Sequence, residues 1–444
     1  MNKLQRTLAP LIASLLISPV SQAEDLLQVY QAALQSDPVL SAQESAFDAT
    51  SFSQRQTKSL YYPNIAFSAG LSKTNSDITY PASSTSTSAS GDFDTDITNY
   101  GLTLNQPLYR KDYSSQLHQA EASTRQAQAE LNQAYQDIIL RVAQRYFDVL
   151  AAKDSLEFAQ AEKNAISRQL DQAKQRFEVG LIAITDVHES QAAYDLSTAS
   201  EIVAQNSLAI SHQALRELTG SLPQELAVLG KQMVLQSPEP AKLDDWVDDA
   251  LQSNFKLMAA EAATTVALQG MEQQRANRHP TLDFVASYGK ADYSGNSATE
   301  RDETNTSLGL QLNIPLYQGG GISAGISRAN AQLAQAKDAL EQQRRATQRE
   351  ASDAYLRVLA GISRVKALQQ AVTSSESALN ATEAGYDVGT RTTVDVLNVR
   401  RELFRTQRDF ARARYDYILA SLRLQQAAGS LDVKDVEQVN AWLD

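Results

Sequence analysis

The chain of 444 residues contains no cysteine. Disulfide staples and thiolate-bound metals are therefore excluded, and helix packing or association between copies must hold the molecule together. Proline (11) and glycine (18) are scarce and aromatics make up 7%, a composition that favours long helices over a thick mixed core. Positive charge is also short. Forty Lys and Arg face 52 Asp and Glu, a formal net charge of −12, which argues against a nucleic-acid partner. After the first 23 residues no apolar run approaches the roughly 20 residues of a membrane-spanning helix. Passage through a membrane would have to be made by strands.

The first 23 residues carry a different pattern. Lys3 and Arg6 precede the apolar run Leu11 to Val20, and Ser21-Gln22-Ala23 closes it with small residues. This predicts a secretory signal peptide, 1–23, cut before Glu24. Its loss removes two basic residues and no acidic one, moving the net charge to −14.

The remainder is written twice. Ala33-Leu34-Gln35-Ser36-Asp37 returns as Ala250-Leu251-Gln252-Ser253-Asn254, and Tyr62-Pro63-Asn64-Ile65 as His279-Pro280-Thr281-Leu282. Pro107-Leu108-Tyr109 returns as Pro315-Leu316-Tyr317, Tyr146 as Tyr355, Val179-Gly180 as Val388-Gly389, and Gly220 as Gly429. A period of about 200 residues is too long for a solenoid unit and marks a duplicated half-molecule. The halves are taken as 24–230 and 231–444. Each predicts a helical stretch of about 35 residues ending at a proline, two alternating segments around a polar loop, a very long helix, and a further helix of about 35 residues after the Val-Gly break. Lys111 to Glu178 alone would extend on the order of 100 Å, beyond any compact domain.

The alternating segments limit the architecture most. Ile65, Phe67, Ala69 and Leu71 alternate with Asn64, Ala66, Ser68 and Gly70; Leu308, Leu310, Leu312, Ile314 and Leu316 alternate with Gly309, Gln311 and Asn313. About ten residues of this pattern around a loop such as Pro81-Ala82-Ser83-Ser84-Thr85-Ser86 describe outer-membrane barrel strands, although a soluble hairpin packed on one side has the same signature. Four strands cannot close a barrel, and an open edge in lipid costs several kcal/mol for each unpaired backbone group. Several chains must share one barrel. Two would give eight strands around a filled interior, and three would give twelve with room for a lumen. Pro63, Pro107, Pro280 and Pro315 are placed where strand meets helix.

The helices carry coiled-coil spacing. Val399, Leu403, Thr406, Phe410, Ala413, Tyr417, Ala420, Leu424 and Ala427 step by four and three, as do Ala152, Leu156, Ala159, Lys163, Ile166, Leu170, Ala173 and Phe177, so helices should lie side by side along their length. A helical bundle or structural coiled-coil tether explains these stripes equally well, but not the strands.

Arg168-Gln169-Leu170-Asp171-Gln172, the stretch from Arg176 to Val187 and the stretch from Gly385 to Leu397 resemble the TolC family of trimeric outer-membrane efflux proteins, and the likeness spans essentially the whole chain after the leader. The resemblance implies an α+β membrane protein of the Gram-negative outer membrane. Four strands from each chain of a homotrimer would form a 12-stranded β-barrel, continuous with a 12-helix α-barrel tunnel through the periplasm. A belt around the tunnel would draw on 222–243 and 431–444. The implied work is export of drugs and other small molecules with an inner-membrane pump and a periplasmic adaptor; a duct for type I protein secretion is the alternative. No cofactor is implied.

The same resemblance assigns the hairpin tips. Gly180 and Gly389 follow long helices where a left-handed C-cap is expected, and Asp186 and Asp395 stand at the start of the next helices. In the family, tip-to-tip links close the tunnel. Asp186 would bond Tyr386, and Arg391 would reach Thr185. Asp395 would supply an acidic constriction ring that favours cations. Family members carry a second aspartate three residues on, where this chain has Asn398, leaving three charges instead of six. The plainer reading is that both aspartates only cap helices and Arg391 is a solvated tip residue. Gly180 and Gly389 would mark the adaptor-docking tips.

Gly321-Ile322-Ser323-Ala324-Gly325 matches the nucleophile elbow of hydrolases, but no histidine follows Ser323, and the triad order requires one. Gly319, Gly321 and Ala324 approximate a dinucleotide fingerprint without the strand that would complete it. His118, His188, His212 and His279 have no ligand spacing, so a metal site has no support.

Overall fold

The computed structural model describes residues 23–79, 90–221, 225–230, 233–295 and 300–444. All but the last residue of the expected leader and the Pro81–Ser86 loop lie outside the described residues, as do 222–224 and 231–232 of the expected belt. The elements are α1 (Leu26–Ser36), α2 (Pro38–Ser59), β1 (Asn64–Ile78), β2 (Gly91–Tyr109), α3 (Lys111–Glu178) and α4 (Ile184–Thr219) in the first half. The second half has α5 (Leu243–Ser253), α6 (Phe255–Ala276), β3 (Thr281–Gly295), β4 (Arg301–Asn313), α7 (Gly321–Asp387), α8 (Thr393–Ala428) and α9 (Val433–Asn440). The duplication is nearly exact in length: α1 and α5 have 11 residues each, α2 and α6 22, α4 and α8 36, while α3 has 68 and α7 67.

The stretch expected as one helix of about 35 residues is instead two. Pro38 disfavours helical backbone at Asp37, which takes φ −73°, ψ 114° and caps α2 by accepting from Val39 N (3.4 Å) and Leu40 N (3.1 Å). Asn254, its counterpart, has no proline after it yet adopts φ −69°, ψ 122° and accepts from Lys256 N (3.1 Å) and Leu257 N (3.2 Å). Both are buried, so each needs a second partner. Asp37 receives two guanidinium nitrogens of Arg141, whereas Asn254 donates Nδ2 to the Ala427 carbonyl at 3.0 Å. One capping position has thus been solved once with charge and once without.

The strands form one antiparallel sheet in the order β1-β2-β3-β4, with β1 and β4 at its edges. Register puts Phe67 opposite Leu102 and Leu102 opposite Tyr288, and it sets Ala286 opposite Leu308 and Phe284 opposite Leu310. These residues share one face with Ile65, Leu71 and Leu312. The other face carries the rows Ser68-Gly101-Gly289-Asn305 and Ala66-Thr103-Ser287-Ser307. The apolar face is open: Phe67 is 69% exposed and Leu308 72%. Pro107, expected where strand meets helix, does not end β2. The strand runs on to Tyr109 through a register shift after Pro107, consistent with the missing N–H. Beyond it, Arg110 forks onto Asp283 of β3 (Nη2–Oδ2 2.7 Å, Nε–Oδ1 3.0 Å) and fixes the corner from sheet to α3.

The main apolar core lies far from the sheet, around the middles of α3 and α7 and the C-terminal half of α8. Tyr146 and Phe147 are fully buried there, and Phe147 stacks on Tyr415 at 5.4 Å. Segments 225–230 and 233–242 and α9 wrap this core. Tyr146 donates to the Ala227 carbonyl (2.7 Å) and its repeat counterpart Tyr355 to the Ala241 carbonyl (2.5 Å). Leu229 bridges to Leu443, and Tyr417 exchanges hydrogen bonds with the backbone of Gln236 at 2.9 Å. The stripe from Val399 to Ala427 is buried or half-buried along its length, because it packs against α7 and α3.

Candidate gate at the helical hairpin tips

The two hairpins, α3–α4 and α7–α8, end in the same turn. Gly180 N bonds Phe177 O (2.9 Å) and Leu181 N bonds Arg176 O (2.8 Å); Gly389 N bonds Tyr386 O (3.0 Å) and Thr390 N bonds Gly385 O (2.8 Å). These are paired Schellman closures. They place the glycines at φ +77° and +81°, a conformation that costs a residue with a Cβ about 1 kcal/mol or more. Val179 (70% exposed), Leu181 (73%) and Val388 (75%) project from the tips.

The re-entering helices differ. Neither aspartate is the N-cap residue: the caps are Ala183 and Thr392, and Asp186 and Asp395 stand three residues in, reaching back. Among the described residues Asp186 accepts only from Ala183 N, at 3.3 Å, since alanine offers no side-chain partner. Thr392 completes a reciprocal box: its N and Oγ1 both donate to Asp395 Oδ2 at 2.9 Å, and Asp395 N donates to its Oγ1 at 3.2 Å. The Thr392 amide, then its hydroxyl, and the charge of Arg391 hold the Asp395 carboxyl below the usual carboxylate range. Asn398 is exposed one turn further along α8.

Among the described residues, Asp186 and Tyr386 of one chain are not joined. Tyr386 accepts from Thr393 Oγ1 at 3.4 Å, and its ring lies under the Arg176 guanidinium at 4.9 Å. Arg176 also pairs with Asp387 at 3.4 Å, so α3 is linked to the end of α7. Arg391 does not reach Thr185 in the single chain. It folds over Gly385, where an added Cβ would meet Arg391 Cγ at 2.8 Å and Thr390 Oγ1 at 3.2 Å. Thr185 is exposed. A third link was missed by sequence reasoning: Arg400 pairs with Glu383 of α7 and donates Nη1 to the Ala165 carbonyl of α3 at 3.2 Å. Nothing in the local pattern announces it, because its partners lie 17 and 235 residues away.

Ser323, in the hydrolase-like motif, is exposed and its Oγ accepts from Arg278 Nη2 at 3.3 Å. That contact fastens the start of α7 to the end of α6 and activates no nucleophile.

Residues 29–221 and 246–430 match the family described as outer membrane efflux protein. The chain belongs to that family. It is 37% identical to the outer membrane protein TolC of Vibrio cholerae, covering 99% of both chains. It is also 30% identical to the alkaline protease secretion protein AprF of Pseudomonas aeruginosa, over 96% of this chain and 89% of that one. In fold it is similar to the Campylobacter jejuni CmeC outer membrane channel (TM-score 0.78, 16% identity, covering 95% and 90% of the two chains). The helix-rich chain, with one four-stranded sheet among the described residues, is an outer-membrane efflux protein, and its place is the Gram-negative outer membrane. The family assignment leaves a transport duct where the hydrolase-like motif hinted at chemistry. No helix among the described residues is long and apolar enough to cross a membrane.

Proposed function

We propose that this outer membrane efflux protein acts as a homotrimeric exit duct with a gate at its periplasmic end. The observation that carries the reading is the sheet: four strands, one apolar face, and two unpaired edges at β1 and β4. Edges in lipid demand partners, and β4 of one copy against β1 of the next supplies them. Three copies give 12 strands around an open lumen lined by the Ser, Thr, Gly and Asn rows. The 68- and 67-residue helices and the shorter helices paired with them continue the wall into the periplasm.

The tips close this tunnel. On assembly Asp186 bonds Tyr386 and Arg391 reaches Thr185, three times by symmetry. At about 1 kcal/mol for each hydrogen bond the set is a lock that a docking event can release. Asp395 forms a three-charge ring with Asn398 neutral beside it. Release comes from an inner-membrane pump and a periplasmic adaptor that docks around Gly180 and Gly389, where Val179, Leu181 and Val388 offer apolar contact. Drugs and other small molecules are the favoured cargo. Type I protein secretion is a second reading, favoured by the likeness to AprF. The test is expression in a strain lacking its own duct, scoring dye accumulation and toxin export together with the band on unheated gels. A monomer band in native envelopes would end the trimer reading.

A further inference from the structure

α3, α7 and α8 border an open cleft of about 340 Å³, lined by Arg168, Gln169, Gln172, Leu379, Arg400 and Phe404. Its orientation follows from helix geometry. Successive side chains on α8 are turned by about 100°. Arg400, five residues after Asp395, is therefore about 140° round the helix from it, and Phe404 is about 120° from Asn398. If Asp395 and Asn398 look toward the tunnel axis, the cleft looks toward the periplasm.

The chemistry of the lining is one-sided. No carboxylate borders it. Arg168 is exposed and, among the described residues, its guanidinium has no ion pair or hydrogen bond. Gln169 is 5% exposed and its Nε2 has no acceptor, an arrangement that is costly unless something enters to accept. Arg400 is held at the floor by Glu383 and the Ala165 carbonyl, and Leu379 and Phe404 supply apolar walls. On a chain of net charge −12, this is a small basic socket. It is too narrow for a helix of 10–12 Å diameter and large enough for one acidic side chain, whose carboxylate matches the fork of Arg168.

We propose that the cleft is a carboxylate socket that receives a Glu or Asp side chain projecting from a helix of the periplasmic adaptor. It rests on the docking reading above and gives that reading its register: the apolar tips engage first, and the socket fixes how far the partner helix lies along the wall.

The absence of cysteine permits a clean test in the full-length protein in cells. Gln172→Cys is paired with the adaptor that supports export through this duct, carrying single cysteines in place of successive acidic residues on its hairpin. Thr390→Cys serves as the tip control. Gln172→Cys is expected to form a disulfide with one acidic position, and Arg168→Glu to cut dye efflux at least fivefold, with recovery when that acidic residue becomes Arg. Cross-linking from Thr390→Cys without any from Gln172→Cys overturns the socket and leaves docking intact; none from either overturns both. Wild-type efflux by Arg168→Glu also overturns it. So does a loss of trimer in Arg168→Glu on unheated gels, which would give the socket to a neighbouring copy.

Discussion

Gly385→Ala separates the gate from the fold. Gly385 lies in the last turn of α7 with ordinary helical backbone, so alanine there gains about 1 kcal/mol of helix propensity. Against this, its Cβ would stand 2.8 Å from Arg391 Cγ and 3.2 Å from Thr390 Oγ1, and something must shift. Both obstacles are side-chain atoms of exposed tip residues and not backbone, and because Cγ stands at the root of the Arg391 side chain the relief requires that whole side chain to turn about χ1, which moves Arg391 from its seat while the strain stays within the tip. On the trimeric gate proposed above, three Arg391 links are lost at about 1 kcal/mol each, roughly 3 kcal/mol of preference for the closed state. Each 1.4 kcal/mol is tenfold, so the open population should rise on the order of 100-fold. Single-channel recording in planar bilayers reads this directly, and thermal melting of the solubilised protein is the control. We expect higher conductance at an unchanged or slightly raised Tm. Unchanged conductance would refute the role of Arg391, and a fall of many degrees would refute the claim that only the tip gives way.

The equivalent caps make unequal predictions. Asp37→Asn keeps an acceptor for the α2 amides but faces the Arg141 guanidinium with an amide in place of a carboxylate and should cost about 1–3 kcal/mol, whereas Asn254→Asp buries an unpaired charge facing the Ala427 carbonyl and should cost about 3 kcal/mol or more; comparative melting decides. Because the folded Asp395 carboxyl titrates below its usual range, its stabilising charge is fully present above the unfolded value and lost only as pH falls through the depressed one. Cation selectivity should therefore persist into acid, and Thr392→Ala should move its loss to higher pH; identical titrations would remove Thr392 from the account. Asn398→Asp, which doubles the ring charge, should tighten block by divalent cations at least tenfold in bilayers. Amide exchange should be faster at Ala183 than at Thr392, since the first amide donates one bond of 3.3 Å to Asp186 and the second a bond of 2.9 Å within a reciprocal box.

The sequence made legible what repeats locally. The 3.6-residue stripes, the two-residue alternation from Ile65 to Leu71 and the Val-Gly pairs each record a backbone state that neighbouring residues impose, and the helices, strands and tips stand where those signals are. The single helix expected at the start of each half overlooked the signal that Pro38 carries for a break at Asp37, and the same break at Asn254 has no proline and could be inferred only through the repeat. Thr392 and Asp395 form a readable cap pattern, while Ala183 carries none, so Asp186 could not be placed at its third position from residue type alone. Arg176, Asp387, Glu383 and Arg400 escaped notice because exposed charges on long helices are common and usually solvated. Their significance comes from which helices lie side by side, a tertiary fact.

Duplication explains why the two tips are alike in backbone and unlike in strength. Gly180 and Gly389 close identical turns, so both hairpins present the same shape to whatever meets them. Behind that shape the first hairpin re-enters through Ala183 with one reach-back bond, and the second through Thr392 with three contacts to Asp395, a further bond from Thr393 to Tyr386, and Arg391 folded onto Gly385. Arg400 then ties the second helix pair to α3 a turn beyond the ring. A force applied equally to both tips is resisted unequally. On the gate reading proposed above, the α7–α8 pair carries the ring residues and moves as a body, and the contacts that yield are those between bodies: Arg176 with Asp387 and Tyr386 and Arg400 with the Ala165 carbonyl within a chain, and the links of Asp186 and Thr185 on assembly. Opening by displacement of a rigid hairpin then breaks these individually weak bonds and leaves the Tyr146 and Tyr355 anchors of the distant core untouched.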